Sequence, residues 1–281
     1  MEKKIYGKDI AKQIRAQLSE EVEQIKATGA RLPQLCVIMV GNDPASASYV
    51  KGKEKACAEI GIASRMIHLD ECTEEELLKI IEEQNNDDTV DGILVQLPLP
   101  KGLDENKILL AISPDKDVDG LHPVNLGRLH SGRKGFVPCT PKGIMEILDR
   151  MGVDLDGKRA VVVGRSKLVG GPVARLLQDK NATVTVCHSH TRNLPEVTKQ
   201  AEVLVVAIGR PHFITEEYVS EGTYVIDVGV NRVDGKLIGD VDTEGVLDKC
   251  AMITPVPGGV GPMTITMLLK NTLEAYRWNM D

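Results

Sequence analysis

Apolar residues recur at three- and four-residue steps near the start of the chain: Ile10, Ile14, Leu18, Val22 and Ile25. That spacing predicts one buried face of an amphipathic helix, with Gly29 as its stop. QLCVIMV (34–40) is short, apolar and partly β-branched, and reads as a buried strand. Asp43 and Pro44 then suit the N-cap and first position of a helix that runs to Gly61. SRMIHL predicts a strand. TEEELLKIIEEQ predicts a helix opened by a capping box of Thr73 and Glu76, and DGILVQLPLP predicts a strand whose far end breaks into prolines. Alternating helix and strand implies a mainly parallel sheet with helices packed on it.

Between residues 114 and 141 the pattern fails. SPDKDVDGLHPVNLGRLHSGRKGFVPCTP is rich in Gly, Pro and charge, without a sustained period, and marks an interdomain region. The alternation then restarts with RAVVVG, VGGPVARLLQD, ATVTVC, AEVLVVAIG and TYVIDVGVN. A final helix carries Ile265, Leu268, Leu269, Leu273 and Tyr276 on one face. The fold class expected is α/β, with two α/β domains.

One position breaks the helical pattern. In YVKGKEKACAEIG, the residues Tyr49, Val50, Ala56, Cys57 and Ile60 share a face, and Lys53 falls on it, whereas Lys51 and Lys55 do not. A lysine there either lays its stem on apolar surface with its ammonium in water, or meets something other than core. Gln96 is a second misfit, at the end of a very apolar strand, and Asp119 follows in DKDVDG. Gln96 is otherwise an edge-strand polar residue, and Asp119 an Asx-turn residue before Gly120. Brought together, the three would form a site in which a partly desolvated lysine exchanges a proton near neutral pH.

Composition narrows the possibilities. Aromatics are 3% of 281 residues and the formal net charge is −7, which argues against a general nucleic-acid binder. The six cysteines show no C-x-x-C spacing, and no metal cluster is visible. No signal-peptide pattern or membrane-length apolar run occurs, so a soluble cytoplasmic setting is expected.

The second half carries a glycine-rich turn. In VVVGRSKLVGGPVA, Gly164 ends a strand while Gly170 and Gly171 open a helix, an arrangement that brings backbone N–H groups to a diphosphate. The spacing departs from G-x-G-x-x-G, with Ser166 where a glycine would stand, and glycines for strand–helix packing alone explain it too. Its repeated β–α–β setting favours a Rossmann-like dinucleotide site. The next strand ends in Cys187, His188, Ser189, His190, Thr191 and Arg192, without the carboxylate that would hold a ribose diol. With Arg165 in the turn, these donors suit a ribose 2′-phosphate, so NADP is expected over NAD. Gly209 and Val230, at later strand ends, line the same crevice.

The motifs PASASYVKGKEKAC, GILVQLPLP, PDKDVDGLHP, PCTPKGI, VVGRSKLVGGPVA, IDVGVN, GDVD and TPVPGGVGPMT follow one another in order. Across almost its whole length the chain resembles the bifunctional methylenetetrahydrofolate dehydrogenase/cyclohydrolase family. The resemblance implies NADP-dependent oxidation of 5,10-methylenetetrahydrofolate to the 5,10-methenyl compound, then hydrolysis to 10-formyltetrahydrofolate in the same cleft. It makes Lys53 central to hydrolysis, with Gln96 orienting it, Asp119 binding the pterin and Tyr49 packing on the aminobenzoate. It sets the loop at 255–262, with Pro257, Gly258 and Gly259, beside the substrate, and Thr140 with the cofactor. It also implies a homodimer, without membrane or nucleic-acid partners. The expected division is a folate-binding domain over 1–138 completed by a helix over 263–281, and an NADP domain over 139–262, with a cleft between them. A dehydrogenase that lacks the hydrolytic step or prefers NAD, and a dinucleotide-binding module without turnover, remain as alternatives.

Overall fold

The computed structural model describes residues 3–280 and divides into two compact units. The first comprises Gln13–Cys139 and the chain from Ile265 onward. Helix α1 (Gly7–Ala27) precedes β1 (Gln34–Val40), α2 (Pro44–Ile60), β2 (Ala63–Leu69), α3 (Glu74–Asn85) and β3 (Gly92–Val95). Two shorter helices follow, α4 (Glu105–Ala111) and α5 (Pro123–His130). The three strands form a parallel sheet in the order β2-β1-β3. Its central strand is apolar on both faces, and Cys36, Ile38 and Val40 pack with Leu77, Ile81, Ile93 and Ile108.

Local chemistry sets the boundaries of these helices. The Asp43 carboxylate accepts from Ser46 N at 2.7 Å, and Pro44 starts α2 where a missing N–H costs nothing. Thr73 and Glu76 close the capping box of α3. The stretch read as unpatterned contains α5, capped by His122 and started by Pro123. It is too short for periodicity to stand out from its Gly- and Pro-rich flanks. Within β3, Ile93 bridges to Asp117, and the approach needs glycine at 92, where a Cβ would lie 2.6 Å from the Val118 side chain.

The second unit comprises Thr140–Thr264 and the segment ending at Lys12. Its elements are α6 (Cys139–Arg150), β4 (Arg159–Val163), α7 (Gly170–Asp179), β5 (Thr183–Cys187), α8 (Leu194–Thr198), β6 (Val203–Val206) and β7 (Thr223–Asp227). A small hairpin of β8 (Asn231–Val233) and β9 (Lys236–Ile238) precedes α9 (Thr243–Val246), β10 (Cys250–Ile253) and the start of α10 (Gly261–Met280), which from Ile265 belongs to the first unit. The five-stranded sheet is parallel, in the order β10-β7-β6-β4-β5. The strand order reverses at β4, the switch point where open α/β sheets take ligands.

The units differ from the expected division at residues 3–12. Ile5 N–H donates to Ile253 O at 2.9 Å and Ile253 N–H donates to Lys3 O at 2.8 Å, so this segment runs along β10. The helical pattern from Ile10 onward gives no sign of it, because the pairing precedes the helix.

Candidate active site

On α2 the buried positions are Ser46, Val50, Ala56, Cys57 and Ile60. Tyr49, placed on that face by its spacing, is 56% exposed, one turn before Lys53. It lies at the border of the stripe and presents its ring to solvent. Lys51 and Lys55 are exposed, as their positions require, and Lys53 is half-buried.

Lys53 does not extend its ammonium into water. Its Nζ donates to Gln96 Oε1 at 2.7 Å, and Gln96 Nε2 donates to Leu97 O at 2.6 Å, which turns the amide oxygen toward the lysine. Gln96 itself is held just past β3 by its backbone N–H on Ile38 O at 2.8 Å. Burial lowers the Lys53 pKa from its ordinary value near 10.5, opposed by the charge of Asp119 and by Cys139. Burial likewise raises Asp119, opposed by Lys53 and by a hydrogen bond with Cys139. Each group is pushed toward its neutral form and drawn back by the other's charge. The trio thus meets in one place, as its sequence positions suggested.

The carboxylate that organises this loop is Asp117, not Asp119. Its carboxylate accepts from His122 N at 2.8 Å, Leu121 N at 3.3 Å and Asn125 Nδ2 at 2.9 Å. Burial still pushes its pKa up to about 6. Asp119 is left free of that duty. Its backbone is fixed from the other side: Asn271 of α10, fully buried, donates to Val118 O at 2.7 Å and Val137 O at 3.1 Å. The buried Cys139 thiol donates to Val118 O at 3.4 Å and lies against Asp119. Neither Cys139 nor Asn271 stood out in sequence, since a thiol among apolar residues reads as a small hydrophobe.

In the second unit, Gly164 has φ +121°, and a Cβ there would lie 2.2 Å from Ala207 O. A Cβ on Gly170 would lie 2.1 Å from Gly164 O, so the turn closes only with glycine at both places. Ser166 Oγ accepts from Val169 N at 3.1 Å, bracing the turn before α7. Arg165, Ser166 and Lys167 are exposed around it, and Gly171 lies in the first turn of α7. Beyond β5, His188 N donates to Thr191 Oγ1 at 2.9 Å and His190 N to His188 Nδ1 at 3.2 Å, leaving Ser189 at the exposed tip. A diphosphate fits the tight turn at a helix N-terminus, and a further phosphate fits the cationic, carboxylate-free end of β5.

The remaining predicted residues also lie in this unit. Gly209 and Val230 are exposed past the ends of β6 and β7. Thr140 Oγ1 pairs with Thr264 Oγ1 at 2.9 Å. Pro257 is exposed, while Gly259 is buried against Gly7, and Gly258 O accepts from Lys8 N at 3.1 Å. Two fully buried carboxylates escaped sequence reading. Asp227 accepts from Gly229 N at 2.9 Å, Asp240 N at 3.0 Å and Val241 N at 3.0 Å. Asp240 accepts from Ile208 N at 2.7 Å, Gly209 N at 2.9 Å, Arg210 N at 2.8 Å and Asn231 Nδ2 at 2.9 Å. Burial, with Asp240 nearby, pushes Asp227 up to about 7.

Comparison with known proteins shows the family. Residues 5–119 match the family model for the catalytic domain of tetrahydrofolate dehydrogenase/cyclohydrolase, and residues 138–280 match that for its NAD(P)-binding domain. The chain belongs to the tetrahydrofolate dehydrogenase/cyclohydrolase family. It is 57% identical over 282 aligned positions to the bifunctional protein FolD of Halothermothrix orenii, covering 99% of each chain. The crystal structure of the bifunctional FolD dehydrogenase/cyclohydrolase from Campylobacter jejuni superposes with a TM-score of 0.93 at 48% identity, covering 96% of this chain and 97% of that one. The FolD of Trypanosoma brucei, solved in complex with NADP cofactor and inhibitor, gives 0.92 at 40% identity, covering 99% and 98%. Among the described residues, no helix is long and apolar enough to cross a membrane.

Proposed function

We propose that this chain oxidises 5,10-methylenetetrahydrofolate with NADP and hydrolyses the methenyl product to 10-formyltetrahydrofolate. The observation that carries the reading is the Lys53–Gln96 hydrogen bond beside Asp119, inside a member of a bifunctional family.

NADP, when bound, supplies the hydride acceptor. The chain's part in that step is to hold and orient: the Gly164–Gly171 turn takes the diphosphate, and Arg165, His188 and Ser189 take the ribose 2′-phosphate. Gly209, Val230 and Thr140 serve the remainder of the cofactor. Loss of hydride from the methylene carbon leaves a methenyl cation, so the protein moves no proton in the oxidation.

Hydrolysis does require one. Water adds to the methenyl carbon and loses a proton. N5 then gains a proton while the new hydroxyl gives up its own to solvent, so the N5–carbon bond breaks, the carbonyl forms, the formyl group stays on N10 and one proton is released overall. Lys53, held toward neutrality by burial and oriented by Gln96, takes the first proton and returns the second. Asp119 binds the pterin, the Tyr49 ring packs on the aminobenzoate, and Pro257, Gly258 and Gly259 border the substrate. The chain also pairs with a second copy. β2 supports this, being an edge strand with half-exposed residues beside a hollow of about 350 Å³ in which Leu69, Cys72 and Ile80 are ringed by the charged Glu71, Glu76, Lys79 and Glu83. Among the described residues the chain's cysteines form no disulfide, which suits a reducing, cytoplasmic setting.

Absorbance of the methenyl compound, followed with methylenetetrahydrofolate and each nicotinamide cofactor, tests the reading. Formation with NADP followed by enzyme-dependent decay is expected; no formation with either cofactor rejects it. Light scattering at micromolar protein checks the dimer.

A further inference from the structure

The sheet order assigns the two halves of the dinucleotide to different strand ends. With the diphosphate at the turn after β4, β5 lies on one side, and β6 and β7 lie on the other. The end of β5 carries the groups suited to the adenosine ribose, so the ends of β6 and β7 are left for the nicotinamide half. Those ends are irregular loops, and such backbone must be held if it is to orient a reactive ring.

Asp240 holds them. Its two carboxylate oxygens accept three consecutive amides after β6, from Ile208, Gly209 and Arg210, and the Asn231 side chain after β7. Asp227 ties the same region from beneath through Gly229, Asp240 and Val241. The glycines are placed to admit both carboxylates. A Cβ on Gly229 would lie 2.3 Å from Asp240 Cγ, and one on Gly239 would lie 1.9 Å from Asp227 Oδ2. Val230 stands between two anchored residues and is nonetheless 52% exposed. An apolar side chain pinned on both flanks and offered to solvent suits the face of a flat ring.

We propose that Asp240, braced by Asp227, is a positioning residue for the nicotinamide half of the cofactor. It sets the backbone at 208–210 and, through Asn231, the seat of Val230. This rests on the NADP-dependent reading above and adds to it a residue that touches neither substrate nor reacting atom.

The test separates the two halves of the ligand. NADP and adenosine 2′,5′-bisphosphate, which lacks the nicotinamide half, are titrated calorimetrically against the wild-type chain and Asp240→Asn. In the variant an amide NH2 faces backbone donors that a carboxylate oxygen used to accept. NADP is expected to bind at least tenfold more weakly, adenosine 2′,5′-bisphosphate within twofold of wild type, and amide hydrogens at 208–210 to exchange faster. Equal weakening of both probes, or unchanged NADP affinity, overturns the proposal. Asn231→Ala, which leaves both carboxylates in place, is expected to weaken NADP about threefold with the same selectivity, and carries the test if Asp240→Asn fails to fold. Wild-type protein that binds adenosine 2′,5′-bisphosphate and NADP equally well refutes the positioning alone. Wild-type protein that binds neither refutes the NADP reading from which the inference starts.

Discussion

Lys53 and the Asp227–Asp240 pair are both charged groups drawn out of water, yet they are treated in opposite ways. The two aspartates are fully buried and saturated, with three donors on Asp227 and four on Asp240. Lys53 is half-buried and, among the described residues, makes one hydrogen bond, although an ammonium carries three donors. Saturation fixes a backbone, whereas unused capacity leaves a group able to exchange a proton with a substrate. The difference separates scaffold from chemistry more sharply than charge or burial does.

The largest effect should come from removing the unsaturated group. Lys53→Met is expected to slow methenyl hydrolysis at least 100-fold, with NADP affinity within twofold of wild type. Hydrolysis at the wild-type rate in that variant would end the proton-transfer role. Gln96→Ala should cost less, about tenfold in hydrolysis, because it frees the amine without removing it. A pH–rate profile sharpens the point. Because burial lowers the Lys53 pKa, hydrolytic kcat should rise with pH through a value below 10.5, and Gln96→Ala should displace that value. A profile flat from pH 6 to 10 would favour a purely electrostatic lysine. Arg165→Ala should weaken NADP about tenfold and NAD hardly at all; equal losses would remove Arg165 from the phosphate site.

The smallest effect concerns the saturated carboxylates. Asp117 and Asp227 have native pKa values of about 6 and about 7, above the 3.8 of an ordinary aspartate. The folded state therefore binds more protons than the unfolded one between those limits, and stability falls as pH rises through that window. The surface carboxylates lowered by partners, such as Glu74 and Glu202, act below their ordinary value of 4.5, and so beneath pH 5. Melting temperature should thus be a few degrees higher at pH 5 than at pH 8, and Asp227→Asn should reduce the difference. A melting temperature higher at pH 8 would contradict the assignment.

Much of this was legible in the chain because periodicity reports burial. Lys53 and Gln96 stood out as polar residues where an apolar one was due, and Asp43 and Thr73 announced their helices. Asp117 and Asp119 could not be told apart, since both sit in DKDVDG and only the turn at Leu121–His122 decides which is consumed. Asp240 lay hidden in GDVD beside a short hairpin, where no period exists to be broken. Tyr49 was misplaced by a border position, since one residue's rotation on a helix moves a side chain by about 100°. α5 was missed for lack of length.

Asn271 sets an order on the making of the protein. The segment that seats Asp119 is finished only when a residue in the middle of the last helix reaches Val118 and Val137. A ribosome must therefore deliver the whole of 140–264 before the earlier unit can close its site. The usual vectorial order is then expected to invert, with the later stretch folding while the earlier one waits. Nascent chains held short of Asn271 should acquire dinucleotide affinity before any hydrolytic activity, so that the unit begun first is the one completed last.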